Sequence, residues 1–173
     1  MPSYKELLPA IRAFIFDVDG VFTDNTVILH PSGDLLRIMN VKDGYAVKLA
    51  IDKGYEVIVI TGGKSETVRD RLETLGVREI FLGVHDKKTI LLDTLDRLNI
   101  RPEHCLYMGD DIPDYEVMQL VGLAAAPQDA VEEIKGICHY ISPKDGGKGC
   151  VRDVIEQTLR VQKKWFDVFV PST

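Results

Sequence analysis

Short apolar runs alternate along the chain with stretches whose apolar residues recur at helical spacing. The runs are nearly uninterrupted and bounded by turn-forming residues, which is typical of buried strands. They lie at 11–16, 55–60, 80–82, 105–108 and 123–126. The periodic stretches predict helices over 43–53, 65–75, 87–98, 113–121, 128–135 and 150–164. This alternation predicts an α/β fold, with a doubly wound, mostly parallel sheet and helices on both faces.

Two shorter segments after the first strand predict a β-hairpin over about 25–40. They flank the sequence Pro31-Ser-Gly-Asp34, whose residue types are typical of a turn. Beyond the hairpin, Asp43 fits the N-cap of a helix and Gly54 fits its C-cap. We see no repeat and no linker, so we predict one domain over 1–164 and an apolar tail over 165–173.

Composition, charge and cysteine content argue against several classes of protein. Of 173 residues, 45% are hydrophobic, and the net charge of −6 argues against a nucleic-acid-binding protein. No apolar run approaches the roughly 20 residues that cross a bilayer, and the first residues do not resemble a signal peptide. The cysteines, which lie at 105, 138 and 150, are odd in number and include no C-x-x-C pair. We therefore expect a cytoplasmic protein with no membrane or nucleic-acid partner.

Two carboxylates follow the first predicted strand directly. Asp17 and Asp19 stand one residue apart, and Gly20 allows a sharp turn after them. Carboxylates at the end of a buried strand are costly unless a metal ion or a cation balances them. Alone, the Asp-x-Asp-Gly motif also suits solvated loop aspartates before a turn.

Further polar motifs follow the later strands or begin the helices. Thr61-Gly62 follows the second long apolar run, and Lys87 begins a helical pattern. The sequence Gly109-Asp110-Asp111-x-x-Asp114 follows the run at 105–108. Because the carboxyl ends of parallel strands meet at one edge of a sheet, we expect these motifs to form one site.

In this order and placement, the motifs resemble those of the haloacid dehalogenase-type phosphatase superfamily. The resemblance implies that Asp17 is a nucleophile that forms an aspartyl phosphate, and that Asp19 is the general acid and base. It also implies a Mg²⁺ ion bound by Asp17, Asp110 and the Asp19 carbonyl.

The same resemblance assigns the remaining motif residues. Thr61, Gly62 and Lys87 would bind the phosphoryl group, while Asp111 and Asp114 would support the site. Asp114 would equally suit the start of a helix. We expect the next residue after Lys87, a second lysine, to be solvated.

Several longer segments resemble the 3-deoxy-D-manno-octulosonate 8-phosphate phosphatase family. They are Phe22-Thr-Asp24, Asn40-Val-Lys-Asp43-Gly-Tyr, Gly83-Val-x-Asp86-Lys87 and Gly146-Gly-Lys-Gly149-Cys-Val-Arg152. The resemblance implies release of phosphate from the phosphorylated eight-carbon sugar acid used in lipopolysaccharide. The chain has no room for a cap domain over the site. In this family, hairpins from four subunits form a central barrel and a neighbour closes each pocket, so the resemblance implies a homotetramer.

Two alternatives remain open at this point. A related family hydrolyses 2-keto-3-deoxynononate 9-phosphate, and Gly63 departs from the commonest residue of both families. A receiver-like phospho-switch also forms an aspartyl phosphate, but the order of the acidic motifs argues against it. The carboxylate of a sugar acid calls for a basic partner. Gly63, Lys64 and, by resemblance, Arg71 are the candidate substrate residues, although a solvated basic helix face would also explain Lys64.

Overall fold

The computed structural model describes residues 3–166. Its strands are β1 (Ala13–Phe16), β2 (Ile28–Leu29), β3 (Leu35–Leu36), β4 (Glu56–Ile60), β5 (Glu79–Phe81), β6 (Cys105–Met108), β7 (Leu123–Ala126) and β8 (Tyr140–Ile141). Its α-helices are α1 (Tyr4–Leu7), α2 (Val41–Asp52), α3 (Glu66–Thr74), α4 (Lys87–Leu98), α5 (Tyr115–Met118), α6 (Glu132–Lys135) and α7 (Cys150–Val161). Six strands form one parallel sheet in the order β5-β4-β1-β6-β7-β8. The predicted fold class is confirmed.

Apolar clusters cover both faces of the sheet. Phe14 and Phe16 of β1 pack into one cluster with α2, α3 and α7. Ala13 and Ile15 point to the opposite face and pack with α4, α5 and α6. Burial on both faces explains why the strands appear in the sequence as uninterrupted apolar runs.

The reversal of strand order determines where a site can form. From β1 the chain runs outward through β4 and β5, then crosses back along α4 to β6 on the other side of β1. The last residues of β1 and β6, Phe16 and Met108, are direct partners in the sheet. Ligands of open α/β sheets bind just beyond the strand ends at such a switch point.

The hairpin of β2 and β3 is antiparallel and stands apart from the central sheet. Its apolar side chains are exposed: Val27, Ile28, Leu29, Leu35, Leu36 and Ile38. Between β1 and α2 the chain forms only this hairpin, and between β4 and α4 it forms only α3 and β5. Residues 3–166 therefore contain no cap domain. Within the same residues, no helix is both long and apolar enough to cross a membrane.

The N-cap of α2 differs from the prediction. Asn40, not Asp43, occupies it, and its Oδ1 accepts hydrogen bonds from the N–H groups of Lys42 and Asp43. Asp43 is buried in the first turn, where its Oδ1 accepts a 2.8 Å bond from the N–H of Arg152 in α7. The prediction was wrong because acidic residues favour the first helical turn as well as the cap.

The bounds of two other helices also differ from those predicted. The stretch at 113–121 begins within a 3₁₀ turn, Ile112–Asp114, and α5 ends at Met118. The stretch at 128–135 is helical only over α6, and the sequence did not predict α1 or β8.

The start of the predicted tail packs against the domain. Trp165 is buried, with its ring 5.2 Å from the Arg152 guanidinium carbon and 6.3 Å edge-on from the Tyr45 ring. Phe166 is exposed. The rest of the predicted tail, 167–173, lies outside the described residues.

Candidate active site

A buried ammonium group links two carboxylates at the switch point. Lys87, at the start of α4, donates 2.7 Å hydrogen bonds to Asp17 beyond β1 and to Asp114 beyond β6. Asp114 also accepts a 2.7 Å bond from the Tyr107 hydroxyl and a 3.3 Å bond from the Asp110 N–H. Although Asp114 occupies the N-cap position of α5, its side chain makes no capping bond there. Lys88, by contrast, is exposed.

A third carboxylate adjoins this pair. Asp110 accepts a 2.7 Å bond from Nδ2 of Asn25, and it is buried. Gly20 has φ +82°, and a Cβ there would lie 1.9 Å from Oδ2 of Asp110 and 2.6 Å from Nδ2 of Asn25. Glycine at this position is therefore a requirement of the site as well as of the turn.

The second aspartate of the first motif pairs with the hairpin. Asp19 accepts two bonds from Arg37, at 2.6 Å from Nε and 2.9 Å from Nη2. This planar, two-bond geometry is the strong form of an arginine–carboxylate contact. It fixes the orientation of the Asp19 carboxylate, which is about a third exposed.

The loop after β4 completes the pocket. Thr61 is buried, and its Oγ1 accepts a 3.1 Å bond from the N–H of Gly63, so its own hydroxyl hydrogen remains available for an anion. Asp17, Asp19, Thr61, Gly62, Gly63, Lys87 and Asp110 all line one open pocket of about 400 Å³, together with Asn25, Val84, His85, Asp111 and Pro113. The structure thus brings together the residues predicted for catalysis, phosphate binding and metal binding.

The acidic cluster carries more negative charge than Lys87 balances. Carboxylate oxygens of Asp17, Asp110 and Asp114 lie within 4.8 Å of one another. Burial, and then the Asp114 carboxylate, raise the pKa of Asp17 to about 7. Burial also raises the pKa of Asp110 to about 6. For Lys87, burial opposes the charged form, but Asp17 and Asp114 outweigh it and raise its pKa. The hard oxygen donors and the excess negative charge fit a divalent cation of the Mg²⁺ type.

The other charged residues predicted for the site, Asp111, Lys64 and Arg71, are exposed rather than buried. Asp111 is exposed, and its side chain caps the 3₁₀ turn through the Ile112 N–H at 2.7 Å. Lys64 is exposed beside Gly83 and lines a neighbouring groove rather than the pocket. Arg71 is not brought to the pocket: a Cβ on Gly44 of α2 would lie 2.9 Å from its Nη2. The substrate roles of Gly63, Lys64 and Arg71 remain predictions.

Sequence reasoning missed three residues that hold the acidic side chains. Asn25 and Arg37 reach Asp110 and Asp19 from the hairpin region, and Tyr107 reaches Asp114 from β6. A tyrosine within an apolar strand was a usable signal for Tyr107, because a buried hydroxyl needs a partner. No local signal pointed to Arg37, since the direction of its side chain depends on how the hairpin folds back.

Comparison with known proteins identifies the family. Residues 33–122 match the haloacid dehalogenase-like hydrolase family model. The chain is 39% identical over 154 residues to 3-deoxy-D-manno-octulosonate 8-phosphate phosphatase KdsC of Escherichia coli strain K12, covering 89% of this chain and 82% of KdsC. The chain belongs to this phosphatase family. The receiver-like alternative is thereby removed.

Solved structures of this phosphatase family share the fold. The Yersinia pestis enzyme superposes with a TM-score of 0.91 at 35% identity, covering 93% of this chain and 87% of that one. The Moraxella catarrhalis phosphatase, solved in complex with a magnesium ion, a phosphate ion and KDO (3-deoxy-D-manno-octulosonate), has a TM-score of 0.90 at 32% identity. That match covers 93% of this chain and 92% of the Moraxella chain.

Proposed function

We propose that the protein is a Mg²⁺-dependent phosphatase that hydrolyses KDO 8-phosphate to KDO and inorganic phosphate. The observation that carries this proposal is the pocket at the switch point. There, Asp17 at the end of β1 lies beside the Lys87 ammonium, and Asp19 and Thr61 line the same cavity. This set supplies a nucleophile, an acid and donors for phosphoryl oxygens, which are the groups that phosphate-ester hydrolysis needs.

The first half of the reaction transfers the phosphoryl group to the protein. A carboxylate oxygen of Asp17 forms a bond to phosphorus while the bond between phosphorus and the sugar oxygen breaks. Asp19 starts the cycle in its protonated form and gives that proton to the departing oxygen, so KDO leaves as a neutral alcohol at that position. Asp17 is then an aspartyl phosphate.

The second half restores the resting state. Water attacks phosphorus, the bond to Asp17 breaks, and Asp19 accepts the proton of the water, so inorganic phosphate is released. Lys87 places positive charge beside the reacting carboxylate, and the Thr61 hydroxyl with the Gly62 N–H donates to phosphoryl oxygens. Asp114 holds Lys87 in place through the 2.7 Å contact.

Asp17, Asp110 and the Asp19 carbonyl would hold the Mg²⁺ ion. When bound, the ion offsets the charge of the phosphoryl oxygens and of the buried carboxylates. Asp111 and Asp114 would support these ligands from the loop after β6.

The direct test of the function is a side-by-side assay of two sugar-acid phosphates. We expect phosphate release from KDO 8-phosphate with kcat/KM at least about tenfold above that for 2-keto-3-deoxynononate 9-phosphate, because a pocket discriminates one extra carbon unit by roughly that factor. Chelation with EDTA should stop release, and added Mg²⁺ should restore it. A preference for the nine-carbon ester would reassign the substrate, and activity that survives EDTA would contradict the metal site.

We also propose that the protein is a homotetramer in which a neighbouring subunit covers the pocket. Leu29 and Ile38 of the hairpin are 77% and 70% exposed, which is unusual for a hairpin that ends in solvent. We expect light scattering to give a mass of four chains. Leu29→Lys should shift the mass to smaller species and lower turnover, because an uncovered pocket admits water.

The control for this substitution is Leu92→Lys on α4, where a leucine is exposed outside the hairpin. It should leave both mass and turnover unchanged. A wild-type monomer with full activity would refute the covering argument.

A further inference from the structure

A largely buried arginine side chain lies beside the pocket, and in the chemistry proposed so far it only orients Asp19. Arg37 follows β3 in the exposed hairpin, yet only 8% of its side chain is accessible. Its neighbours Leu36 and Ile38 are exposed. Arginine is seldom buried in this way without a charged partner or a ligand. The hairpin therefore turns this side chain inward, toward the site.

The contacts of Arg37 leave part of its hydrogen-bonding capacity unused. Nε and Nη2 donate to Asp19, and Nη1 donates to the Leu35 carbonyl at 2.9 Å. A guanidinium has five N–H donors. Among residues 3–166, these three bonds leave one N–H on each terminal nitrogen, and each of these can donate to a further acceptor.

Gly63 lies against the Arg37 guanidinium and the Asp19 carboxylate, so a side chain at this position would crowd both groups. A Cβ at Gly63 would lie 3.3 Å from Nη2 of Arg37 and 3.5 Å from Oδ2 of Asp19. Gly62 and Gly63 line both the catalytic pocket and a second groove of about 560 Å³, which Arg37 and Lys64 also line. Arg37 thus lies where the two cavities meet.

We propose that Arg37 is the specificity-determining residue that binds the carboxylate of the sugar acid. This inference rests on the proposed phosphatase function. With the phosphoryl group beside Asp17, the rest of the substrate extends into the groove, and its carboxylate is the second anion to be satisfied. A planar fork that is already oriented by Asp19 loses little freedom on binding, whereas the exposed ammonium of Lys64 must be ordered first.

The test compares two primary phosphate esters that differ in the carboxylate. KDO 8-phosphate carries one, and D-arabinose 5-phosphate has the same type of ester without it. We expect Arg37→Gln to lower kcat/KM for KDO 8-phosphate about 10- to 100-fold more than for the pentose ester, chiefly through KM. The quantity compared is the ratio of kcat/KM for KDO 8-phosphate to kcat/KM for the pentose ester. Arg37→Lys keeps a point charge, so it should lower this ratio less than Arg37→Gln does.

Two further variants serve as comparison. Arg97→Gln breaks another two-bond contact between an arginine and a carboxylate, in which Nη1 and Nη2 of Arg97 donate to Glu79 at 3.0 and 2.6 Å. Arg97 lies in the last turn of α4, at the opposite end from Lys87, so this variant should leave the ratio unchanged. Arg71→Gln tests the residue that the sequence favoured for the carboxylate. A loss of ratio in Arg71→Gln, without one in Arg37→Gln, would overturn the inference.

Equal losses on both esters would also overturn it, because Arg37 would then act only by positioning Asp19. If Arg37→Gln proves too unstable to assay, an unchanged ratio in Arg37→Lys decides against the inference. Failure of the proposed function has a different signature: the wild-type protein would then show no preference for KDO 8-phosphate over the pentose ester.

Discussion

Asp17→Asn is expected to abolish phosphate release while leaving the fold intact. The amide cannot form an aspartyl phosphate, so kcat should fall by about 10³-fold or more. The side chain lies beyond the end of β1, and Lys87 has a second 2.7 Å contact, with Asp114, that the substitution does not remove. The circular dichroism spectrum should therefore match that of the wild type. Acid-quenched turnover followed by mass spectrometry should find phosphate on the peptide that carries residue 17 in the wild type only.

The same variant should alter the pH dependence of stability in metal-free protein. The pKa of Asp17 is raised to about 7 in the fold, against about 3.9 in an unfolded chain. The folded state therefore binds more protons than the unfolded state between these values, and stability is lost as pH rises through this window. Asp17→Asn removes this loss. Its melting temperature in EDTA should fall less than that of the wild type between pH 5 and pH 8.

Asp70→Asn provides the control for this prediction, because that carboxylate is exposed on α3. It should retain both the activity and the pH profile of the wild type. Turnover by Asp17→Asn at more than a few per cent of the wild-type rate would remove Asp17 from the nucleophile role.

Asp19→Asn is expected to slow hydrolysis in a way that depends on the leaving group. An amide cannot protonate the departing oxygen, and loss of a general acid typically costs about 10²-fold or more. The penalty should be large for a simple alkyl phosphate and much smaller for p-nitrophenyl phosphate, whose leaving group needs little protonation. Steady-state kinetics on the two esters measures the difference.

The choice of esters matters because Asp19 also holds Arg37 through two hydrogen bonds. A substrate with a carboxylate would mix loss of the acid with displacement of the guanidinium. Neither test ester has one, so the comparison isolates proton transfer. Equal losses for both esters would leave Asp19 as a structural partner of Arg37 and contradict its role as acid.

Most of the fold could be predicted because several sequence signals agreed. The helix α4 begins at Lys87 and ends at Leu98 as predicted, since Asp86 is a capping residue and the apolar spacing is regular. The strand β6 likewise matches its apolar run. Signals were weaker where residues of similar type compete, as Asn40 and Asp43 do for the cap of α2.

The acidic residues of the candidate site and Lys87 were predictable, but Asn25, Arg37 and Tyr107, which also hold acidic side chains, were not. Asp17, Asp110 and Asp114 follow strands, and the parallel sheet brings such ends together whatever the loops do. Arg37 reaches Asp19 because a short hairpin folds back over the strand ends. That direction is set by tertiary packing, and no periodicity in the sequence reports it.

The burial of Trp165 against Arg152 and Tyr45 has a practical consequence. It is the only tryptophan in the chain, which also has six tyrosines. Selective excitation of the indole therefore yields an optical signal from one position, where the chain leaves α7. Indole emission shifts to longer wavelength when the ring becomes hydrated, so its colour reports whether residue 165 is docked. Trp165 is therefore an intrinsic fluorescent probe, and its docking can be followed in the unlabelled protein.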